Sequence, residues 1–476
     1  MTLEMEIIPA LPSGQPTGVG NSIGPAGRTC SSSPVSTDKA TDKSLGRDLR
    51  DVLWVAIPKL LGGALQVAFN ILLLRYLGPK SFGAVAVCLA TVMLCDSVFG
   101  SAIDMSIFRL APLYRLNDPI TALQIQKMGL LIKPAGALLA AVPIALFAPQ
   151  LSLALFQTRE NSSLLYLTLA ALLGTLLIRS AQVHFQIERE FRPYGLTDLA
   201  NNGFCFGLLG ALLAARIYAA GTILAVYAFV PILLSAAILA TRARPIVLVP
   251  ASSVALVVLS RTLKWFLPTV IVGSVLSRMD LFFVSGFSGV NEAGIYSAAQ
   301  IFALLPALLG LYMSAVFSPR VMHLWREGTL KPIYFRYQIG LATVAVLGYL
   351  LSAVFLNQVT AFLLPESFRR SNEVILALLP VGLCAFLSFP WTIPLLLYLR
   401  PKVMLVMDSL AVLALTPAFV VVARHGGAFG VAKLTSVVMI VRASVHQWLA
   451  WQTLNFRSTD PTVTEQELVG GSLKTI

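Results

Sequence analysis

Five residues in the first half of the chain recur in the second half at one fixed offset of 211 positions. Trp54, Gly62, Leu65, Gly78 and Gly83 align without a gap on Trp265, Gly273, Leu276, Gly289 and Gly294. In each copy a tryptophan opens a long apolar segment, a Gly-x-x-Leu step lies inside it, and a short glycine-containing turn leads into the next apolar segment. Such a repeat predicts two halves with the same local structure.

The apolar segments themselves predict an all-α integral membrane protein. Hydrophobic residues make up 57% of the 476 residues and charged residues only 12%, which excludes a soluble globular protein. Most apolar segments are about 20 residues long, the length that crosses the hydrocarbon core as a helix. We predict about twelve spans, within a range of 12–14, near 52–75, 83–107, 128–148, 163–183, 196–218, 221–240, 264–287, 294–318, 338–363, 374–398, 402–423 and 428–450.

An even number of spans gives both halves the same orientation in the membrane. The halves then form a parallel repeat of two six-helix lobes around a central cavity, an arrangement typical of transporters. We place the N-terminal lobe at 51–250 and the C-terminal lobe at 251–456. Residues 1–50 are rich in Ser, Pro, Gly and Thr, and we expect them, like 457–476, to be disordered cytoplasmic tails.

Basic residues are distributed unequally between the two sides of the predicted membrane. The long connections at 108–127, 184–195, 241–263 and 319–337 are basic, and the opposite side carries a roughly threefold smaller number of Lys and Arg. The positive-inside rule therefore predicts a multi-pass protein with both termini in the cytoplasm. It also accounts for the formal net charge of +13 without a nucleic-acid partner.

The sequence contains no pattern typical of a metal or nucleotide site. The five cysteines include no Cys-x-x-Cys pair, and no His-Glu-x-x-His, P-loop or dinucleotide motif occurs. We therefore expect no metal, no cofactor and no enzymatic activity, with H⁺ or Na⁺ as the only candidates for a coupling ion.

Ionisable and amide residues inside the spans are the candidate functional residues, because each is costly in hydrocarbon unless it faces a cavity or a partner. In the first span Lys59, Gly63, Gln66 and Asn70 follow an i, i+4, i+7, i+11 pattern and share one helix face. A lysine on a polar stripe suits an anionic substrate. The alternative is that Lys59 extends to the cytoplasmic membrane surface.

Two aspartates of the second span also share a helix face. Asp96 lies near the middle of the membrane and needs a partner, for which Lys59 on the adjacent span is the first candidate. Asp96 is then either half of a structural ion pair or an ion-coupling residue. Asp104 lies near the cytoplasmic boundary, where we expect it to be solvated or paired with Arg109.

Arg278 and Asp280 lie two residues apart in the seventh span. Their side chains therefore point in nearly opposite directions, and they cannot serve one site. We expect Arg278 to contact an anionic substrate, because a guanidinium presents a fork of donors to phosphate oxygens. Asp280 is then either an ion-coupling residue or half of a structural pair.

Both repeated hairpins resemble the signatures of one known family. The segment RYLGPKSFG, from Arg75 through Gly78 to Gly83, resembles the R-x-L-G-x-x-x-F-G signature of the polysaccharide-biosynthesis flippases, also called the O-antigen-type flippases. From Asp280 to Ala299, a segment that includes Gly289, Gly294 and Tyr296, the chain resembles the same family's segment that begins at an Asp and ends in G-x-Y-x-x-A. This family belongs to the multidrug/oligosaccharidyl-lipid/polysaccharide exporter superfamily.

The resemblance implies a flippase that moves an undecaprenyl-diphosphate-linked oligosaccharide, such as an O-antigen, exopolysaccharide or capsule repeat unit, across a bacterial inner membrane. It also implies alternating access, a positively charged central cavity and frequent ion coupling. Lys59 and Arg278 fit that cavity, one from each lobe. The implied partners are the lipid-linked substrate, membrane lipids, and a polysaccharide polymerase with glycosyltransferases.

Two alternatives stay open at this point. A multidrug and toxin extrusion antiporter has the same fold, but it binds organic cations and favours carboxylates and aromatic residues in its cavity. A membrane glycosyltransferase or O-antigen polymerase is more remote, because the longest predicted outer connection, about 149–162, offers only Arg159 and Glu160 as charged residues.

Overall fold

The computed structural model describes residues 38–115, 118–399 and 401–456, and over these residues it contains helices and no β-strand. The first half contains α1 Asp38–Tyr76, α2 Pro79–Asp96, α3 Ala102–Arg115, α4 Pro119–Phe156, α5 Ser162–Ile187, α6 Phe191–Ala214, α7 Ala220–Thr241 and α8 Arg244–Leu248. The second half contains α9 Ser253–Phe283, α10 Val290–Ala303, α11 Leu305–Glu327, α12 Leu330–Leu363, α13 Ser371–Ser388, α14 Thr392–Leu399 and α15 Pro401–Phe456.

Three short segments complete the described helices. Ser97–Ser101 and Val284–Ser288 are π-helical, and Glu366–Phe368 is a 3₁₀ turn. The first π segment joins α2 to α3 within one continuous helical stretch, directly after Asp96. π-Helical turns inside α-helices occur frequently at functional sites.

Ten helices in the described residues are long and apolar enough to cross a membrane, and the bent pair Val290–Ala303 and Leu305–Leu311 makes eleven. One of the ten, Lys402–Asn455, is 54 residues long, about twice the length of a single span. The backbone leaves helical geometry within it at Gly427, where φ is 56°. Divided there, this helix supplies the eleventh and twelfth predicted spans.

The first helix begins earlier than the sequence predicts. α1 begins at Asp38, so residues 38–50, predicted as part of a disordered tail, are helical. Residues 1–37 and 457–476, the rest of the predicted tails, lie outside the described residues. Residues 50–452 form one compact unit, and the helical residues 38–49 and 453–456 belong to a second.

The connection between the lobes, predicted as a loop at 241–263, contains α8 and the first turns of α9. Ser253 to Leu263, predicted as part of a basic loop, are the first turns of α9, and Ser252 caps them by accepting from the Ala255 amide. Ala255 and Leu259 are buried against Ile107, Ile125 and other apolar side chains of α3, α4 and α5. The start of α9 therefore packs on the N-terminal lobe.

The two repeated hairpins contact each other directly. A Cβ atom on Gly83 of α2 would lie 2.1 Å from the Val290 carbonyl oxygen, and one on Gly294 of α10 would lie 1.9 Å from the Pro79 carbonyl oxygen. The helices approach this closely because both positions lack a side chain. Both hairpins therefore lie at the same end of the molecule, as a parallel repeat requires.

The apolar surface of the helices is divided between a core and a wide outer face. The main core cluster joins both lobes, contains residues of both hairpins, and includes Leu74, Val87 and Tyr296. α12 instead exposes large apolar side chains such as Ile339, Val354 and Phe362, the last of them 78% exposed. Exposed apolar surface of this extent is stable when lipid chains cover it.

Candidate functional site: a polar cavity between the lobes

A cavity of about 860 Å³ lies between the two lobes. α1, α2, α3, α5, α6 and α7 form most of its wall, and α9, α10 and α11 of the C-terminal lobe close the remaining side. It extends from Leu73 and Phe82, next to the hairpins, to Lys59 and Gln186 at the other end. A cavity of this size between lobes is a usual place for a small-molecule or lipid headgroup site.

All four residues predicted to bind substrate line this cavity. Lys59, Gln66 and Asn70 lie on its α1 wall, as their shared helix face predicts, and Arg278 lies on α9. The Lys59 ammonium is 4.9 Å from the centroid of the Tyr194 ring, and Arg278 donates to the Met93 sulfur at 3.0 Å. Their placement fits a binding role, and the role itself stays a prediction.

The predicted partner of Asp96 is wrong. Asp96 is buried and pairs with Arg179 of α5, whose Nε lies 3.1 Å from Asp96 Oδ2, rather than with Lys59. Arg179 also donates to Ser101 Oγ at 3.0 Å, so it joins the two ends of the π-helical segment. Because 43% of its side chain is exposed, Arg179 also presents charge to the cavity that it lines.

The expectation that Asp104 is solvated is wrong, and the side chain of Arg109, its other predicted partner, lies outside the described residues. Asp104 is buried, and its Oδ1 lies 2.5 Å from the ammonium of Lys133 on α4. Lys133 is only 1% exposed and also donates to Ser180 Oγ at 3.1 Å. This pair neutralises the charge of Asp104, although the residue borders the cavity.

Asp280 faces away from the cavity, as its spacing from Arg278 predicts. It is buried and accepts hydrogen bonds from the Tyr296 hydroxyl at 2.6 Å and from Gln300 Nε2 at 3.2 Å. Both donors belong to α10, so this carboxylate joins α9 to α10. Of the two roles open for Asp280, the structural pairing is the one that these contacts support.

Arg75, Gly83 and Gly294 of the hairpin signatures lie at the contact between the lobes and are not among the residues that line the cavity. Arg75 donates to the Phe362 carbonyl oxygen at 3.2 Å, and Gly83 and Gly294 form the close helix contact. Gly289 has φ of 95°, a conformation suited to glycine, whereas its repeat counterpart Gly78 has φ of −65°. The signatures therefore specify how the hairpins pack.

Two polar helix faces on the cavity were missed among the predicted site residues. On α5, Thr175, Arg179, Gln182 and Gln186 follow an i, i+4, i+7, i+11 pattern and all line the cavity. On α6, Asp198, Asn201 and Asn202 also line the cavity, following Tyr194 at similar spacing. The same helical periodicity that identified Lys59, Gln66 and Asn70 would have found both faces.

No group of three or more His, Cys, Asp or Glu side chains in the described part of the chain is placed to hold a metal ion. The polar groups of the cavity are hydrogen-bonding side chains and charges, and apolar side chains such as Leu89 and Phe108 line the rest of its wall. Lys59, Arg179 and Arg278 are the basic side chains on its wall, and Asp104 and Asp198 are the acidic ones.

A sequence model of the family described as "Polysaccharide biosynthesis protein" matches residues 49–325, more than half of the chain. The chain belongs to this family. A comparison with curated protein sequences found no match. The matched range contains the N-terminal lobe and both hairpins, including every residue of the predicted site.

Solved structures of MOP superfamily transporters share the fold. The lipid II flippase MurJ in an inward closed conformation aligns with a TM-score of 0.65 at 14% identity, over 87% of this chain and 94% of that chain. An inward-facing multidrug resistance MATE family transporter aligns with a TM-score of 0.66 at 14% identity, over 86% of this chain and 100% of that chain. A MOP superfamily transporter from Pyrococcus furiosus Vc1 aligns with a TM-score of 0.62 at 13% identity, over 87% of this chain and 96% of that chain.

At these identities the structural similarity establishes the fold, and the family match places the chain among polysaccharide biosynthesis proteins. The protein is a multi-pass membrane protein of this family, and it shares the fold of MOP superfamily transporters.

Proposed function

We propose that the protein moves a diphosphate-linked, polyprenyl-anchored oligosaccharide across the bacterial inner membrane, with both chain termini in the cytoplasm. The observation that carries the proposal is the placement of Lys59, Arg179 and Arg278 on the wall of one cavity between the lobes. Three cationic side chains in a membrane protein are costly unless they meet anionic or polar groups. A diphosphate supplies such anionic groups.

The contribution of each cation follows from its contacts. Asp96 and Ser101 hold the Arg179 guanidinium in place, while Arg278 reaches across to α2, where it contacts Met93. A weak sulfur acceptor leaves most of the hydrogen-bonding capacity of Arg278 for phosphate oxygens. The oligosaccharide occupies the hydrated cavity, while the polyprenyl tail stays in lipid.

Flipping requires no chemical step, only two lobe arrangements of similar energy that expose the cavity to opposite sides. We further propose that H⁺ or Na⁺ drives this exchange through Asp96, whose Oδ1 has no hydrogen-bond partner among the described residues. Replacing Asp96 with Asn should make export independent of the ion gradient. The polymerase and glycosyltransferases that make and use the substrate are the proposed protein partners.

The decisive experiment is mass spectrometry of polyprenyl-linked lipids from cells with and without the gene. Accumulation of a diphosphate-linked oligosaccharide in the deletion strain is the expected result, and the glycan mass identifies the cargo. An unchanged lipid pool together with new sensitivity to cationic drugs would instead assign the protein to multidrug extrusion.

Complementation tests the anion site. Arg278→Ala should leave the protein inserted and stable but reduce export at least tenfold, because the substrate loses a charge-assisted contact worth about 1.5–3 kcal/mol. Arg424→Ala is the control, since Arg424 stacks on Phe287 away from the cavity and should export normally. Normal export by Arg278→Ala would refute the assignment of Arg278.

A further inference from the structure

The α1, α5 and α6 wall of the cavity carries a group of amide side chains in addition to the cations Lys59 and Arg179. The six amides are Gln66, Asn70, Gln182, Gln186, Asn201 and Asn202. Each amide offers both donors and an acceptor, which matches the hydroxyl groups of a sugar rather than the acceptor-only oxygens of a phosphate.

Part of this wall lacks internal hydrogen-bond partners. Asn201 Oδ1 is buried and accepts no hydrogen bond from the described residues. Asp198 receives only a long hydrogen bond, 3.4 Å, from Gln182 Nε2, and it forms no ion pair with any described residue. Polar groups left unsatisfied on a cavity wall are available to a ligand.

The opposite lobe contains a counterpart of Asp198 that differs in one informative way. Asp408 lies within one residue of the repeat offset from Asp198. A Cβ atom on Gly62 would lie 3.8 Å from Asp198 Oδ2, and one on its repeat partner Gly273 would lie 3.8 Å from Asp408 Oδ2. The two carboxylates therefore occupy matching places beside matching glycines.

Only one of the two carboxylates is neutralised. Asp408 is buried and accepts two hydrogen bonds of 2.9 Å from Arg442, which is the arrangement of a structural pair. Asp198 has no such cation within the described part of the chain, and it lines the cavity. The repeat thus keeps one carboxylate for helix packing and leaves the other facing the transport path.

We propose that the amide-rich wall of α1, α5 and α6, with Asp198 at its centre, is a sugar-binding subsite that accepts a neutral, hydroxyl-rich sugar and disfavours an acidic one. This subsite rests on the proposed function, in which Lys59, Arg179 and Arg278 of the same cavity bind the diphosphate. The amides bind sugar hydroxyls, and the Asp198 carboxylate repels a uronic acid in the same position. A site built to bind hydroxyls discriminates strongly against ligands that cannot pair with it.

Three probes separate the sugar from the diphosphate. They are farnesyl diphosphate, farnesyl diphosphoglucose and farnesyl diphosphoglucuronic acid. The two sugar probes differ only in the oxidation of C6, whereas farnesyl diphosphate lacks the sugar and has one more ionisable phosphate oxygen. Binding is measured on the purified full chain in lipid nanodiscs. We expect the glucose probe to bind at least tenfold more tightly than the glucuronic acid probe and more tightly than farnesyl diphosphate.

Variants then assign the effect to residues. Asp198→Asn should reduce the ratio of the affinities for the glucose and glucuronic acid probes below threefold. Asn202→Ala should weaken the binding of the glucose probe at least threefold. Neither should change the affinity for farnesyl diphosphate. Glu160→Gln, which removes one exposed negative charge outside the cavity, and Asn357→Ala on the exposed face of α12 are the matched controls.

The failure of the subsite is distinguishable from the failure of the proposed function. Equal binding of the two sugar probes, or an equal loss of all three probes in Asp198→Asn and Asn202→Ala, overturns the subsite while diphosphate binding stands. Arg278→Ala should weaken the binding of all three probes. Absence of binding by every probe overturns both proposals.

Discussion

Lys133 is enclosed almost completely within the N-terminal lobe, at 1% exposure, with Asp104 as its ion-pair partner. Removing one member of a buried pair leaves the other as an uncompensated charge, which costs about 3–5 kcal/mol. Lys133→Ala should therefore lower the unfolding temperature of the detergent-solubilised protein strongly.

The control for this prediction is Glu188→Ala, which removes the half-exposed ion pair with Arg115 and should cost less than about 1 kcal/mol. The combined replacement of Lys133 by Met and Asp104 by Asn should recover most of the stability, because no unpaired charge is left. Equal unfolding temperatures for Lys133→Ala and Glu188→Ala would contradict the role assigned to the buried pair.

The residues also show which parts of the site the sequence predicts. Lys59, Gln66 and Asn70 were predictable because helical periodicity alone places them on one face. The partner of Asp96 was not, because it depends on which helix lies beside α2, and α5 supplies Arg179 there. Tertiary neighbours of this kind have no signal in the spacing of a single sequence.

Among the helices, α2 and α10 form the contact on which the two lobes meet at the hairpin end. Gly294→Ala would place a Cβ atom 1.9 Å from the Pro79 carbonyl oxygen, so the helices must separate. Overpacking of this kind costs about 1–3 kcal/mol. We expect a lower unfolding temperature and reduced export, with Gly83→Ala behaving in the same way.

Gly78→Ala is the control for the helix contact. No atom lies within 4 Å of a Cβ at this position, and its φ of −65° suits any residue. The variant should therefore retain both stability and export. If Gly294→Ala and Gly78→Ala were equally stable, the close contact would not be limiting.

The repeat predicts the number and order of the helices well, but it treats Gly78 and Gly289 as equivalent. The structure distinguishes them, because Gly289 has φ of 95° and ψ of 164°, a region that only glycine adopts readily. Gly289→Ala should therefore destabilise the protein by about 1–3 kcal/mol, whereas Gly78→Ala should not. Thermal unfolding of the two variants side by side tests this difference, and equal values would contradict it.

For the whole molecule, alternating access requires the contacts at the hairpin end to break in each cycle. Phe82 of α2 and Phe368 of the C-terminal lobe are among these contacts, with ring centroids 6.0 Å apart in an edge-to-face arrangement. Joining these positions across the lobes should hold the cavity in one arrangement. The cross-link is made between Phe82→Cys and Phe368→Cys with a short reducible thiol reagent, in a chain whose five native cysteines are alanine.

Cross-linking should abolish export, and reduction should restore it, because the lobes then separate again. Tyr76 and Tyr218 provide a matched control, since their ring centroids are 6.3 Å apart but both residues belong to the N-terminal lobe. A cross-link there should leave export unchanged, because a lobe that moves as a rigid body does not change its internal distances. Undiminished export by the cross-linked Phe82–Phe368 pair would show that the hairpin contact stays closed during transport, and the lobes would then have to admit the substrate by some other movement.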